Sequence, residues 1–329
     1  MFGFIPSPPD YRDCAYGKMI PLTVPLPSEF TLEDKYRTPI RDQGTYGTCV
    51  GHAAVSVKEL QEALNYPSQV ISLSPLFVYR ECKQVDGIPT QEGTYPRTAM
   101  DVLRKKGVCK ENTLPYSQLK DIKQLPTPPE KAYEEAKDFI IGAYARIQTI
   151  DELKQAIYRD GPVLAGIMVY ENFITPGTGG FIKIPEGKWL GNHAVAAVGW
   201  NDNLTYAGYK GFIRVRNSWG ASWGDKGYCW IPYDFFNGKT DIGMPYWVES
   251  WSSVDVILPP KKAKKIVLWV DKNEALVDGQ KVILDAPPVV DPKLSRTLVP
   301  LRFIAENFGY RVIWDSSSKQ ITIIGSDDF

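Results

Sequence analysis

Histidine is nearly absent from this chain: its 329 residues include only His52 and His193. Cysteine is also scarce, and its five positions show no C-x-x-C spacing: Cys14, Cys49, Cys82, Cys109 and Cys229. An odd, scattered set argues against a zinc site and against a dense disulfide framework. Any catalytic imidazole must therefore be one of two residues, and at least one thiol has no intramolecular disulfide partner.

The chain also lacks an excess of charge of either sign. Lysine plus arginine and aspartate plus glutamate both number 38, so no nucleic-acid partner is expected. No apolar run approaches the ~20 residues of a membrane span. The amino terminus has early prolines and no basic segment before an apolar stretch, so we expect no signal peptide in this chain. The compartment itself stays undetermined.

The sequence predicts a helix-rich first part followed by a strand-rich second part. Helical spacing of apolar residues predicts an amphipathic helix from Cys49, a second in residues 94–107 and a third in residues 149–161. Short apolar or alternating runs such as "PVLAGIMVY", "HAVAAVGW" and "GYCWIPY" then predict strands. Helices followed by strands indicate an α+β fold of two packed subdomains with a cleft between them.

The sequence predicts two domains. Residues 1–257 form the larger one, and residues 1–30 of it are a proline-rich extended segment. Two prolines and four lysines mark residues 258–265 as a linker. Residues 266–329 then read as a small β-β-α-β-β module, near the lower size at which one core suffices.

Cys49 is the candidate nucleophile. It opens a predicted helix, whose unpaired N–H groups and dipole favour a thiolate, and the thiolate is the reactive form of cysteine. The alternative is a buried, inert cysteine. His52 lies one turn along the same helix and is expected to be a packing or surface side chain, whereas His193 opens an apolar strand and is the candidate base.

Three further residues complete this candidate site. Asn217 could accept the imidazole N–H of His193 while Trp219 shields that bond from water; the alternative for Asn217 is an ordinary turn residue. Gln43, six residues before Cys49, could point its amide at an oxyanion together with the backbone N–H of Cys49.

With these residues in place, the chain resembles the papain family of cysteine peptidases, in the form found in bacteria and archaea. The resemblance rests on the spacing from Gln43 to Cys49, on "NHAVAAVGW" and on "RNSWGASWGDKGYCWI", and it covers roughly residues 5–255. It implies a two-subdomain fold with a helical part and a β-barrel-like part, and a reaction that needs no cofactor and no metal.

The resemblance also implies a role for each matching residue. Cys49 is the nucleophile, His193 the base and then the acid, Asn217 its orienter and Gln43 an oxyanion donor. Four residues would bind or border the substrate: Gly93 at the rim, Trp219 over the catalytic pair, Trp223 on the leaving-group side, and Asn192. The resting state would be a thiolate–imidazolium pair.

This sequence departs from the family pattern in three places. Tyr46 stands where many members have a cysteine that bridges to one near the position of Cys82, so that disulfide cannot form. Val50 replaces the usual tryptophan, and Glu92 replaces the first of two glycines at the substrate rim. As a hypothesis, the first 30 residues cover or border the cleft and restrain activity, in place of the long prosegment common in the family.

The carboxyl-terminal module resembles the stalk module named after the amino-terminal domain of copper amine oxidases, over about residues 265–325. It has no histidine or cysteine to hold copper. We expect a spacer, surface-binding or protein-docking role. The analogy is compatible with a secreted or cell-surface protein and leaves the compartment undetermined.

The sequence therefore predicts a cysteine endopeptidase acting on protein or peptide substrates through a thioester acyl-enzyme. Two alternatives stay open. One is an amidase or transpeptidase acting on cell-wall peptides, and the other is a surface or structural binding protein whose peptidase core is vestigial.

Overall fold

The computed structural model of the protein describes residues 2–20, 25–32, 38–66, 70–255, 266–277, 279–293, 296–308, 310–316 and 319–324. The chain divides into two compact units, Met1–Val256 and Ile257–Phe329. The predicted linker, residues 258–265, lies outside the described residues. No helix among the described residues is both long and apolar enough to cross a membrane.

The helices of the first unit include all three that the sequence predicts. They are α1 (Tyr16–Met19), α2 (Cys49–Asn65), α3 (Pro75–Lys83), α4 (Pro96–Lys105), α5 (Glu130–Ala136), α6 (Ile150–Arg159), α7 (Glu171–Ile174) and α8 (Tyr233–Asn237). The third predicted helix is α6, which a capping box between Thr149 and Glu152 starts. Helix α4 ends before Gly107, whose φ of 76° suits glycine.

The strands of the first unit form one antiparallel sheet. They are β1 (Glu29–Thr31), β2 (Ile141–Ile147), β3 (Val163–Tyr170), β4 (Trp189–Tyr206), β5 (Tyr209–Arg216), β6 (Tyr228–Pro232) and β7 (Trp247–Asp255). Their order is β2-β7-β3-β4-β5-β6, with β1 paired to β4. The strand-rich half predicted from sequence is thus confirmed, and in the described residues it is an open sheet rather than a closed barrel.

Helix α2 is the central helix of this unit. The prediction that it is amphipathic is wrong. Every residue from Cys49 to Ala63 is buried, because α2 packs against α3, α4, β3 and β4. Its charged side chains are compensated: Glu59 bonds Arg41 at 2.5 Å, and Lys58 bonds Glu62 at 2.5 Å. Buried ions require such partners. The face of α2 that carries these charged residues reads as solvent-exposed in the sequence, because the periodicity of apolar residues does not report the ion pairs that allow it to be buried.

The second unit contains more strands than predicted. Strands β8 (Ile266–Leu268), β9 (Glu274–Val277) and β10 (Gln280–Ile283) form one sheet, β11 (Val289–Asp291) pairs with β12 (Arg296–Leu298), and after α9 (Leu301–Asn307) the predicted hairpin is formed by β13 (Arg311–Asp315) and β14 (Gln320–Ile324). A small cluster of Ala275, Leu284 and Phe303 forms its buried core.

Candidate active site

Cys49 begins α2 and its side chain is fully buried. Helix α2 packs against β4, the strand that carries His193. The backbones of Ala194 and Gly3 lie near the Cys49 thiol and act to lower its pKa. Because Ala194 directly follows His193, the fold brings the predicted nucleophile to the strand of the predicted base.

His193 is fully buried and oriented by Asn217. The distance between His193 Nε2 and Asn217 Oδ1 is 2.7 Å, and an amide oxygen only accepts, so the ring proton lies on Nε2. Nδ1 is buried and has no hydrogen-bond partner among the described residues. Asn217 is itself held in place, since its Oδ1 also accepts the backbone N–H of Ser218. Nδ1 is therefore the nitrogen available for proton exchange.

Two tryptophans cover this pair. The ring of Trp219 lies 4.7 Å from that of His193, centroid to centroid. Trp223 contacts Trp219 edge to face at 5.4 Å, and its indole N–H donates to the carbonyl of Ile174. Trp219 therefore lies against the imidazole ring of His193, and its shielding role stays a prediction. Asn192 precedes His193 in β4, and its Oδ1 is buried without a partner among the described atoms.

Gln43 is buried beside the nucleophile loop. Its Oε1 accepts the hydroxyl of Ser218 at 2.7 Å, and its Nε2 donates to the carbonyl of Tyr46 at 2.8 Å. The backbone N–H of Gln43 donates to the Ser218 carbonyl. The loop before Cys49 is therefore attached directly to the segment that holds Asn217.

His52 lies apart from this arrangement. It is buried, its Nδ1 lies 3.1 Å from the carbonyl of Thr48, and its ring packs edge to face on Tyr116. Burial lowers the pKa of His52 to about 3. The interpretation of His52 as a packing residue is confirmed by these contacts.

Burial shifts both reactive groups toward their neutral forms. It raises the pKa of the Cys49 thiol above its ordinary value, against the backbone hydrogen bonds that oppose this. It also lowers the pKa of His193 to about 4, outweighing the bond to Asn217. Burial in this arrangement therefore works against the thiolate–imidazolium pair, which stays a prediction.

The burial comes from the chain's own amino terminus. Residues 2–7, the cleft segment, run between the catalytic residues and the loop of residues 84–95, the rim loop. Phe4 and Thr94 form a parallel bridge, in which the Thr94 N–H donates to the Gly3 carbonyl at 2.9 Å and the Ile5 N–H to the Thr94 carbonyl at 3.1 Å. The predicted covering of the cleft thus has a defined backbone pairing.

Two aromatic side chains of the cleft segment pack on glycines of the sheet. The Phe4 ring is buried against Gly166 of β3. Phe2 packs on Gly191 and lies edge to face with the rings of His193 and Trp219. Phe4 therefore lies against β3 and Phe2 against β4.

Further contacts hold this stretch in place. The Ser7 N–H donates to Glu249 Oε1 at 2.9 Å, and the Ser7 hydroxyl accepts the backbone N–H of Arg97. The Arg97 guanidinium then pairs with Asp13 at 3.0 Å.

Several residues of this cleft were not found from the sequence. The backbone groups that pair with the cleft segment belong to Thr94, while Gly93 bonds the Tyr79 hydroxyl and the Lys83 ammonium. Gly166 and Glu249 also line the cleft, and they face one another across β3 and β7. Gly166 interrupts an apolar strand, which was a detectable signal of a close approach.

The cysteines form no disulfides. All five are free, Cys14 exposed and the others buried. Tyr46, at the position where the resemblance led us to look for a cysteine, donates its hydroxyl to the Lys120 carbonyl. The Glu92 carboxylate instead accepts the N–H of Gly47, which links the rim loop to the nucleophile loop.

Comparison with known families identifies both units. The family described as "Papain family cysteine protease" matches residues 26–244, and the family described as "Copper amine oxidase N-terminal domain" matches residues 245–323. Residues 245–323 contain no histidine, cysteine or methionine. Copper sites depend on such ligands, so these residues do not fit a copper centre.

Individual proteins show the same likeness. An uncharacterized peptidase C1-like protein of Acanthamoeba polyphaga mimivirus is 31% identical over 75% of this chain and 86% of its own length. A gut-specific cysteine proteinase of Caenorhabditis elegans is 29% identical over 62% of this chain and 65% of its own length. Xylellain, a cysteine protease from Xylella fastidiosa, superposes with a TM-score of 0.64 at 27% identity, over 78% of this chain and 96% of its own.

Proposed function

This chain belongs to the papain family of cysteine proteases, and from that membership we propose that Cys49, His193 and Asn217 form the catalytic set of a cysteine endopeptidase. The observation that carries the assignment is the 2.7 Å bond between His193 Nε2 and Asn217 Oδ1, with the strand of His193 packed against the helix that Cys49 begins. The papain-type reaction on protein or peptide substrates needs this set and no cofactor.

The proposed reaction begins with proton transfer from the Cys49 thiol to His193 Nδ1. The thiolate attacks the substrate carbonyl carbon, and the resulting oxyanion accepts hydrogen bonds from the Cys49 backbone N–H and the Gln43 amide. His193 then protonates the departing amine, leaving a thioester. Water deprotonated by His193 attacks that thioester, which releases the acid and restores the thiol.

The substrate is proposed to bind where the cleft segment now lies. Thr94, next to the predicted rim residue Gly93, offers one backbone donor and one backbone acceptor to an extended chain. Trp219, Trp223 and Asn192 border the leaving-group side. Because the cleft segment uses the same groups, it must move before a substrate can reach Cys49, and the full chain is proposed to be restrained.

The domain division is proposed to follow the sequence prediction, with a peptidase domain in residues 1–257, a linker in residues 258–265 and a stalk-like domain in residues 266–329. We assign the last of these a spacer or docking role at a cell surface. Failure of the purified full chain to bind envelope material from its host cells would count against that role.

The decisive experiment uses a library of fluorogenic dipeptide amides under reducing conditions. The parent chain is compared with Cys49→Ala and with parent chain treated with a peptidyl epoxide. Turnover lost in both controls supports the endopeptidase. Turnover only of cell-wall cross-bridge peptides would favour an amidase or transpeptidase, and a Cys49 that reacts with no thiol reagent even after the cleft segment is displaced would favour a vestigial core.

A further inference from the structure

The rim loop is organised around one buried ammonium group. Lys83 is the last residue of α3, and its side chain is 5% exposed. Four oxygens surround its Nζ: the carbonyls of Ile88 at 2.7 Å, Gln91 at 2.8 Å and Gly93 at 2.9 Å, and the carboxylate of Asp86 at 2.8 Å. The side chain thus takes the position that a bound cation would take in a loop of inward-pointing carbonyls.

Asp86 extends this arrangement to the substrate-binding residue. Its Oδ2 accepts the hydroxyl of Thr94 at 2.9 Å, and its Oδ1 accepts the backbone N–H of Ile88 at 3.0 Å. From the other side, the Tyr79 hydroxyl accepts the N–H of Gly93 at 3.0 Å. The Thr94 side chain and the Gly93 backbone are therefore used internally, and only the backbone N–H and C=O of Thr94 pair with the cleft segment.

A buried lysine is not explained by packing alone. Removing an ammonium from water costs several kcal/mol unless its hydrogen bonds are replaced. A methionine would fill the same volume without that cost. The ammonium has three donors, and three carbonyls of a single twelve-residue loop accept from them. The charged group therefore fixes the backbone conformation of residues 88–94 through these hydrogen bonds.

We propose that Lys83 is a positioning residue for substrate binding: its ammonium, together with Asp86, holds the rim loop so that the backbone of Thr94 meets the substrate backbone in one register. This proposal rests on the proposed peptidase function. Lys83 touches no substrate and acts through Gly93 and Thr94.

The test separates reagents that need the rim from one that does not. A dipeptide amide and a dipeptidyl epoxide must pair with Thr94, whereas iodoacetamide only needs access to Cys49. All variants are made in the full chain carrying Gly3→Val, a substitution that we expect to displace the cleft segment because a Cβ there would clash with Gly47. If this parent neither turns over peptides nor reacts with iodoacetamide, the proposed function fails, and that outcome is distinct from a failure of Lys83 alone.

The first variants are Lys83→Met and Lys83→Met with Asp86→Asn, the second of which avoids an unpaired buried carboxylate. Lys105→Met is the matched control, since Lys105 is 61% exposed on α4. We expect KM for the dipeptide amide to rise by roughly 10- to 100-fold with kcat little changed, because the lost contact is made in both the ground and transition states. Epoxide inactivation should slow in parallel, and the iodoacetamide rate should stay within about twofold of the parent.

A second measurement distinguishes positioning from stability. Lys83→Ala leaves a cavity the size of propylamine within a ring of carbonyls, so propylammonium should restore peptide turnover and lower KM, whereas propanol should not. Equal losses in the peptide and iodoacetamide reactions would overturn the proposal. So would unchanged kinetics in Lys83→Met, a chain that fails to fold in every Lys83 variant, or a folded Lys83→Ala that propanol rescues as well as propylammonium.

Discussion

Gly3 lies directly on Gly47, so that a Cβ on Gly3 would come within 1.7 Å of the Gly47 carbonyl oxygen. Gly47 belongs to the loop between Gln43 and Cys49, and no flexible side chain could move aside to relieve that clash. The docked cleft segment therefore requires glycine at position 3.

Replacing Gly3 should release the cleft. We expect Gly3→Val to raise the initial rate of dipeptide amide hydrolysis by at least about 10-fold, because the substitution disfavours the closed state. The measurement is kcat/KM against the parent chain, with Tyr11→Ala as control because Tyr11 is 98% exposed. A Gly3→Val chain that is folded and no faster than the parent would show that the cleft segment does not restrain activity.

The pH dependence of Cys49 alkylation should differ between these chains. In the closed chain burial raises the pKa of Cys49 and lowers that of His193 to about 4. The thiolate then forms only at alkaline pH, so the rate of alkylation by iodoacetamide should increase only at alkaline pH. In Gly3→Val, water and a charged imidazole favour the thiolate, and the midpoint should move to lower pH. Superimposable profiles would contradict the assigned cause, which is burial by the cleft segment.

Asn217 should act through the orientation of His193. In the Gly3→Val background we expect Asn217→Ala to lower kcat by roughly 10- to 100-fold, as removal of a histidine's hydrogen-bond partner does elsewhere, with a smaller effect on KM. Asn203→Ala, on the exposed end of β4, is the control. An unchanged kcat would mean that Trp219 alone is enough to hold the imidazole.

Glu249 should select the side chain that replaces Phe4. Gly166 and Glu249 are paired in register, so their side-chain positions share one face, and the Glu249 carboxylate loses its Ser7 partner when the cleft segment leaves. A carboxylate at this place favours a positively charged substrate side chain. We therefore expect Glu249→Gln to lower the ratio of kcat/KM for substrates with arginine in the Phe4 position to kcat/KM for those with phenylalanine there by about 10-fold, ~1.4 kcal/mol. Gln keeps an acceptor for the Trp251 indole, which bonds Glu249 Oε2.

The same preference should depend on pH in a defined direction. Burial raises the pKa of Glu249 above its ordinary value in the closed chain. With the cleft segment displaced, the carboxylate is charged above the pKa it then has and neutral below it. The ratio of arginine to phenylalanine turnover should therefore fall as the pH is lowered through it, and Glu249→Gln should show no such fall. An identical pH dependence in both chains would exclude Glu249 as the titrating group.

Part of this molecule could be read from the sequence because local patterns carry it. Cys49 at the start of a helix, His193 in an apolar strand and Asn217 after another were identified from spacing and residue type, although β4 begins at Trp189 and not, as predicted, at His193. The three helices predicted from periodicity are α2, α4 and α6. Helix α3 was missed, although Ser74 and Pro75 form an N-terminal signal in which the Ser74 hydroxyl accepts the Phe77 N–H.

Other features depend on contacts between distant segments, which no local pattern reports. Gly3 and Gly47 meet across 44 residues, and Ser7 meets Glu249 across 242. The closed cleft, the raised pKa of the Cys49 thiol and the backbone pairing of Thr94 all follow from such contacts, since burial shifts the pKa values. The sequence by itself determined the family, the α+β class and the candidate catalytic residues, because these depend on residue types in a fixed order. Only the tertiary structure decided that the chain's own amino terminus occupies the cleft, and that a buried ammonium shapes its rim.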